Sequence, residues 1–162
     1  MNETLKELLP SLPIFGGLSD DELEHIAGLL QWHDFEDGQI IAAEGDVGTQ
    51  MFIVAEGHIR VTHEGGDDAQ PFVLAELRPG DCVGEMALIE IKPRSATIRA
   101  HGTVTVCSLS NADFLHLYAT NLQTYTLMVL NVARELSRRL RKANEVISAC
   151  ARSLSESYLR RV

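Results

Sequence analysis

Two residue types that recognise charged or hydroxylated ligands stand nine positions apart in VGEMALIEIKPRSAT, residues 83–97: a carboxylate at Glu85 and a guanidinium at Arg94. Between them lie the apolar residues Met86, Ala87, Leu88 and Ile89 and, just before the arginine, Pro93. Gly84-Glu85 follows the turn Pro79-Gly80-Asp81, so the segment reads as a strand running into one turn of helix. The first N–H groups of such a turn have no helical acceptor, and with no side chain at Gly84 they form a site for an anion. Arg94 adds a planar fork suited to a phosphate, and Ser95 a hydroxyl donor. Glu85 repels an anion, so its use is to accept a hydrogen bond from a sugar hydroxyl beside that phosphate. The pair would then read two sides of a phosphorylated ribose. The same spacing allows a structural Glu85–Arg94 salt bridge, and the residues alone leave both readings open.

Other chemistry finds little support. His25, His33, His58, His63, His101 and His116 have no metal-ligand spacing and none pairs with a cysteine in a zinc pattern. There is no Gly-x-Ser-x-Gly elbow, no phosphate-loop lysine motif and no dinucleotide glycine fingerprint. A phosphodiester-cleaving enzyme with Glu85 as base would lack both metal cluster and nucleophile. No enzyme, metal or cofactor is expected.

The chain has 162 residues, 45% of them hydrophobic and 23% charged. That length suits one domain with a core able to hold itself together without disulfides. Cys82, Cys107 and Cys150 are odd in number and widely spaced, which fits small semi-buried residues in a reducing compartment. The start, MNETLKELLPSLPIFGGL, shows no secretory signal, and no apolar run approaches a membrane span. A cytoplasmic location is expected. The formal net charge of −9 conceals a split: residues 1–120 hold 6 Lys+Arg against 20 Asp+Glu, a net of −14, and residues 121–162 hold 8 against 3, a net of +5. The acidic part repels nucleic acid and anionic membranes, so an anion must be captured by local groups in a pocket.

These two parts are one structural unit with different textures. LSDDELEHIAGLL carries a capping-box pattern, Ser19 and Glu22, before Leu23, Ile26, Ala27 and Leu30 at helical spacing. Brief β-rich runs follow from Gln31 to Ser108: QWHDF, QIIAA, MFIVAE, HIRVTH, PFVLAEL, ATIRA and TVTVCSL, separated by Gly- and Asp-rich turns. Their spacing predicts an antiparallel sandwich or barrel, with GGDD at 65–68 as a hairpin tip. Ser110 caps a helix over SNADFLHLYA. A segment without Pro or Gly then runs from about Asn121 to Leu154. Tyr125, Val129, Val132, Leu136, Leu140, Ala143, Ile147, Cys150 and Leu154 recur along it at a mean spacing close to that of a helix. A helix of that length extends about 50 Å, beyond the width of such a domain, so part of the stripe needs another cover. A second copy of the helix would supply it as a homodimer; a helix folded back over the barrel is the alternative.

GEMALIEIKPRSAT resembles the phosphate-binding cassette of the cyclic-nucleotide-binding domain superfamily, the module of bacterial catabolite-activator-type regulators, protein kinase regulatory subunits and nucleotide-gated channels. The resemblance spans about residues 12–150 and includes FGGLSDDELEHIA, EGD at 44–46, FIVAEGHIRV at 52–61, PGD at 79–81 and the long final helix. It implies a mainly β fold with flanking helices: a double-stranded β-helix (jelly-roll) barrel, a short helical segment before it, a short helix inside the cassette and a long C-terminal helix. It also implies backbone phosphate contacts around Gly84 and Ala87, ribose 2′-hydroxyl recognition by Glu85, and phosphate binding by Arg94 with Ser95. Val61, Ala75, Leu77 and Met86 match positions lining the base and sugar pocket.

The departures bear on specificity and output. Val83 stands where relatives often carry an aromatic residue. Ala143 and Asn144 replace two adjacent hydroxyl residues that contact the purine in catabolite activators, and Asn144 could pair with an adenine N6/N7 edge. Eight residues follow Leu154, too few for a helix-turn-helix. Arg134, Arg138, Arg139, Arg141 and Lys142 form a basic patch that reads as a solvated helix face rather than a nucleic-acid contact. The expectation is a non-enzymatic cyclic-nucleotide sensor, cyclic AMP favoured over cyclic GMP, acting through its C-terminal helix on a downstream protein. The rival is a constitutive dimerisation or scaffold module of the same fold with an empty barrel.

Overall fold

A computed structural model describes residues 7–65 and 70–159, with 153–159 given through their backbone alone. Two 3₁₀ turns, Leu9–Ser11 and Pro13–Phe15, send Leu9, Leu12, Ile14 and Phe15 inward. Helix α1 (Asp20–Leu29) starts at the expected capping box: the Ser19 N–H donates to the Glu22 carboxylate at 2.8 Å, and the Glu22 N–H to Ser19 Oγ at 3.4 Å. Leu23 and Ile26 form its buried face.

Six strands follow among the described residues: β1 (Gln31–Phe35), β2 (Ile40–Ala42), β3 (Gln50–His63), β4 (Phe72–Leu77), β5 (Cys82–Val83) and β6 (Thr97–Ser110). All pairings are antiparallel, in the order β1-β6-β3-β4, with β2 on β6 and β5 on β3. This is the expected jelly-roll barrel with flanking helices. MFIVAE and HIRVTH fuse into β3, and ATIRA and TVTVCSL into β6, which reduces the seven apolar runs to five strands, and the two-residue β5, not among those runs, is the sixth. Gly57 bends its strand without ending it. It sits at φ +78°, beside register shifts between Val54 and His58, and a Cβ there would overlap Thr103 O. The GGDD hairpin tip lies largely outside the described residues.

β3 is buried on both faces from Met51 to Ala55, which explains its unbroken apolar run. Phe52 and Val54 point into the barrel with Ile59, Ile98, Ala100, Val104 and Val106. Met51, Ile53 and Ala55 face the helices and share a second core with Leu88, Phe114, Leu117, Met128 and Val132. The central strand thus has a ligand-side core behind one face and a helical layer behind the other.

Three more helices complete that layer: α2 (Met86–Ile89), α3 (Asn111–Thr120) and α4 (Leu122–Leu159). Ser110 caps α3 through the Asp113 N–H at 3.0 Å. α4 has 38 residues, longer than the stretch read from the sequence. Its first part docks through Thr124, Met128 and Val132, and every residue from Ser137 to Arg152 is exposed. Of the predicted stripe, Leu140 (63% exposed), Ala143, Ile147 (64%) and Cys150 therefore have no cover from the described residues, and the side chain of Leu154 lies outside them.

The start of α4 is tied to the start of α1. The Thr124 hydroxyl, fully buried, donates to Glu22 Oε1 at 2.5 Å, and this bond, followed by the Ser19 N–H, holds the Glu22 carboxyl below its ordinary range. A carboxyl with a lowered folded-state pKa stabilises the fold above its unfolded value, and that contribution is lost as pH falls through the folded one. Thr124→Val should therefore cost about 1 kcal/mol at pH 7. In chemical denaturation the gap from wild type should narrow as pH falls and Glu22 becomes protonated in both.

Candidate functional site

The segment between β5 and β6 departs from regular structure at Gly84, which has φ +78°. α2 begins two residues later, and its first turn is closed by the Ala87 N–H to Gly84 O at 3.0 Å and the Leu88 N–H to Glu85 O at 3.1 Å. Among the described residues the Glu85 and Met86 N–H groups make no hydrogen bond. The free donors thus sit at 85 and 86, and the Ala87 amide, expected to serve a phosphate, is already engaged.

Arg94 lies against these groups. A Cβ on Gly84 would be 2.5 Å from Arg94 Nη1 and 3.4 Å from Gln50 O. Arg94 Nη2 donates to Gln50 O at 2.7 Å, and its Cζ stands 5.2 Å from the centroid of the Phe52 ring. Its backbone is held by the Arg94 N–H to Asp46 O at 2.8 Å. Burial pulls the guanidinium below its ordinary pKa while the Asp46 charge supports it. An arginine has ample margin to stay charged.

Glu85 turns to the other side. It is 2% exposed, and Oε1 pairs with Arg139 Nη1 at 2.9 Å, whereas Oε2 is buried with no hydrogen-bond partner among the described residues. No Glu85–Arg94 ion pair forms among the described residues, so the structural salt bridge open at the level of sequence is not the role of either group. Arg139 also donates from Nε to Glu135 Oε1 at 3.1 Å and from Nη2 to Cys82 O at 3.2 Å. Burial raises the Glu135 pKa, but the hydrogen bonds from Arg138 and Arg139 outweigh it, and the carboxyl sits below its ordinary range. A cavity of about 110 Å³ opens here, lined by Ile14, Leu77, Cys82, Glu85, Val132 and Arg139 among others.

Arg139 was read as part of a solvated basic face; that reading is corrected. It lies two turns after buried Val132 and so on the docked side of α4. Arg134 and Arg138 are likewise engaged, with Asn131 Oδ1 and Glu135. The signal available in the sequence was this seven-residue step from an apolar stripe position.

The other expected site residues are spread more widely. Val61 and Ala75 face each other across β3 and β4, both half-buried, and Leu77 pairs with Ile59. Met86 is 60% exposed and Ser95 is exposed. Asn144 is exposed five residues beyond Arg139, where α4 has left the body of the domain, and the cavity does not include it. Gln50, Phe52 and Asn111, all close to the cassette, carried no distinguishing signal. No group of three metal-ligating side chains occurs among the described residues, and no helix there is long and apolar enough to cross a membrane.

The family model for the cyclic nucleotide-binding domain matches residues 32–121, more than half of the chain and all of the barrel with the cassette. The chain belongs to that family. This cyclic nucleotide-binding domain is similar to a cAMP-dependent protein kinase regulatory subunit of Dictyostelium discoideum, 33% identical over 125 residues, covering 72% of this chain and 38% of the relative. It is similar to the Cyclic AMP receptor protein of Thermus thermophilus, 34% identical over 134 residues, covering 82% of this chain and 59% of the relative. The domain thus spans less than two thirds of the length of either. The crystal structure of Thermus thermophilus catabolite activator protein superposes with a TM-score of 0.77 at 30% identity, over 86% of this chain and 63% of that one.

Gly84 is the tightest point of the domain's site. Gly84→Ala adds a methyl 2.5 Å from Arg94 Nη1 at a left-handed φ, so it must displace the guanidinium from Gln50 O as well as strain the backbone. The expected loss is about 2 to 4 kcal/mol in thermal or chemical denaturation. Unchanged stability would mean that the Gly84–Arg94 contact is not tight.

Proposed function

We propose that this domain is a non-enzymatic cyclic-nucleotide sensor that favours cyclic AMP over cyclic GMP and passes ligand occupancy to its C-terminal helix. The observation that supports this most is the pair of unsatisfied groups at the cassette. Glu85 Oε2 is a buried acceptor lacking a donor, and the Glu85 and Met86 amides are donors lacking an acceptor beside a half-buried guanidinium. A 2′-hydroxyl supplies the one and a cyclic phosphodiester the other, on one sugar. Unmet buried polar groups are costly, so a ligand meeting both sets gains affinity from each. Gly84, Glu85, Met86, Arg94 and Ser95 form the phosphate and ribose side, and Val61, Ala75 and Leu77 the apolar side. Both relatives named above carry cyclic AMP in their own names, which favours that nucleotide here.

Arg139 links the site to the helix. Holding Glu85 Oε1, it leaves Oε2 free for the hydroxyl, and it joins the cassette to α4 by a contact that depends on helix position. The stripe continues from Leu136, which packs against the core, into uncovered positions: Leu136, Leu140, Ala143, Ile147 and Cys150 advance in alternating steps of four and three, the seam of a two-stranded coiled coil. In that register positions 139 and 144 flank the seam and face each other across two parallel copies. Asn144, remote from its own cavity, would then sit beside the Arg139 of a second chain and offer its amide to the base. The output passes to a downstream protein that recognises the helix.

Calorimetric titration with cyclic AMP and cyclic GMP tests the reading. Cyclic AMP should bind more tightly, and Arg94→Leu should weaken it by about 2 to 5 kcal/mol, roughly 30-fold to several thousand-fold, because the phosphate loses its bidentate partner. Binding of neither nucleotide at millimolar concentration would favour the scaffold alternative. Light scattering at micromolar concentration should give twice the 17.9 kDa of one chain, and Ile147→Asp should return it to the monomer mass.

A further inference from the structure

A four-residue helix cannot satisfy its own last carbonyls, and α2 solves this with a side chain from elsewhere. Met86 O accepts the Glu90 N–H at 2.9 Å, but Ala87 O and Leu88 O have no backbone donor among the described residues. Both are met by Asn111 Nδ2, at 3.1 and 2.8 Å. A carboxamide nitrogen carries two N–H groups, so two donors meet two acceptors; turning the amide over would set its oxygen against both carbonyls. Asn111 is 8% exposed although it occupies the first position of α3, where side chains ordinarily meet water.

The backbone of the same residue is fixed to the barrel, its N–H donating to Thr49 O at 2.8 Å. The next carbonyl along the chain, Gln50 O, is the acceptor for Arg94 Nη2. Two successive peptides at the start of β3 therefore hold both halves of the site: one holds the phosphate-binding arginine, the other the residue that grips α2 from behind. Leu88, 1% exposed against a core that includes Phe114 and Leu117 of α3, adds an apolar contact to the polar one.

We propose that Asn111 is a positioning residue for the nucleotide site: it touches no ligand, sets the distance between the α2 amides and Arg94, and joins the cassette to α3 so that the two move together. The proposal rests on the nucleotide-binding reading for its affinity arm alone. In a chain without Asn111 the ends of α2 lose their anchor, and the amides at 85 and 86 no longer stand at a fixed distance from the guanidinium.

Two measurements on the whole chain decide it: calorimetric affinity for cyclic AMP, and amide hydrogen exchange without ligand. Asn111→Ala should lower affinity by about 10- to 100-fold, the scale of losing a group that only orients ligand-holding residues. It should speed exchange at residues 87–90, whose amides close the turn, by about 10-fold or more, a local opening, while Ile53 and Val106 in the barrel keep their rates. Asn111→Gln, which keeps the carboxamide, should recover part of both. Ser110→Ala removes the cap of the same helix without touching the cassette, and should leave affinity within about two-fold while lowering stability. The proposal is overturned if Asn111→Ala binds as wild type, if Ser110→Ala loses as much affinity, or if exchange rises equally throughout. Should Asn111→Ala fail to fold, Asn111→Ser is read the same way. If wild type binds neither cyclic AMP nor cyclic GMP, the nucleotide reading fails, and exchange at 87–90 in the Asn111 variant alone supports or overturns the positioning role.

Discussion

A carboxylate held out of water with only one of its oxygens satisfied sets the terms for everything around it. Glu85 is 2% exposed, and its single charged partner, Arg139, is itself about half exposed. Removing a charge from water costs several kcal/mol even after relaxation, and one guanidinium reached from a distant helix is a partial answer. The arrangement therefore persists only because the cassette turn, the 3₁₀ segment around Ile14 and the docked part of α4 are each packed firmly enough to close over it. Any group that donates to Oε2 relieves part of that cost, and any movement of α4 that withdraws Arg139 increases it. On the proposed reading, site and helix are coupled through this one carboxylate, so that occupancy and helix position would not vary independently.

The firmness comes from β3. Its N-terminal half is buried on both faces, and it pairs with β6 over nearly its whole length and with β4 and β5 along its other edge. A strand so enclosed is the least mobile element available. The polypeptide uses its first peptides, at Thr49 and Gln50, as anchors for the two mobile-looking pieces of chemistry, a four-residue helix and a long arginine side chain. Recognition groups on loops are thereby placed with the accuracy of a sheet.

How much of this could be read beforehand follows the range of each interaction. The capping box at Ser19, the N-cap at Ser110, the antiparallel strands, the short turn of helix after Gly84 and the long terminal helix are local or periodic signals, and they appear where the residues put them. Two strand pairs fused because Gly57 in β3 and Gly102 in β6, both at positive φ, can serve as a hinge within a strand as readily as a break between strands, and only the facing strand decides which. The identities at Glu85 and Arg94 were legible, but their partners were not. Arg139 is 54 positions from Glu85, Gln50 is 44 from Arg94, and Asn111 is 23 from Leu88. Nothing in an arginine surrounded by other arginines marks the one that faces inward, apart from its phase relative to Val132. An asparagine after a capping serine looks like part of the cap until the sheet brings α2 beneath it.

That phase also organises the charge asymmetry of the chain. Residues 1–120, with their net of −14, would disfavour an anionic ligand at long range, and three basic residues of α4, Arg134, Arg138 and Arg139, do not form a free counter-patch, since each is held by a side chain at or near the cavity. Cations are thus delivered to the rim of the site by the helix, where they act over a few ångströms. One turn later the same face of the helix presents Leu140, Ala143 and Ile147 to solvent. Because Arg139 and Leu140 are neighbours on one rigid rod, a rotation of α4 that breaks the ion pair also turns the apolar seam. On the proposed reading, a ligand that draws on Glu85 and a second chain that covers the seam would act on a single degree of freedom, and each would alter the affinity for the other by the same factor.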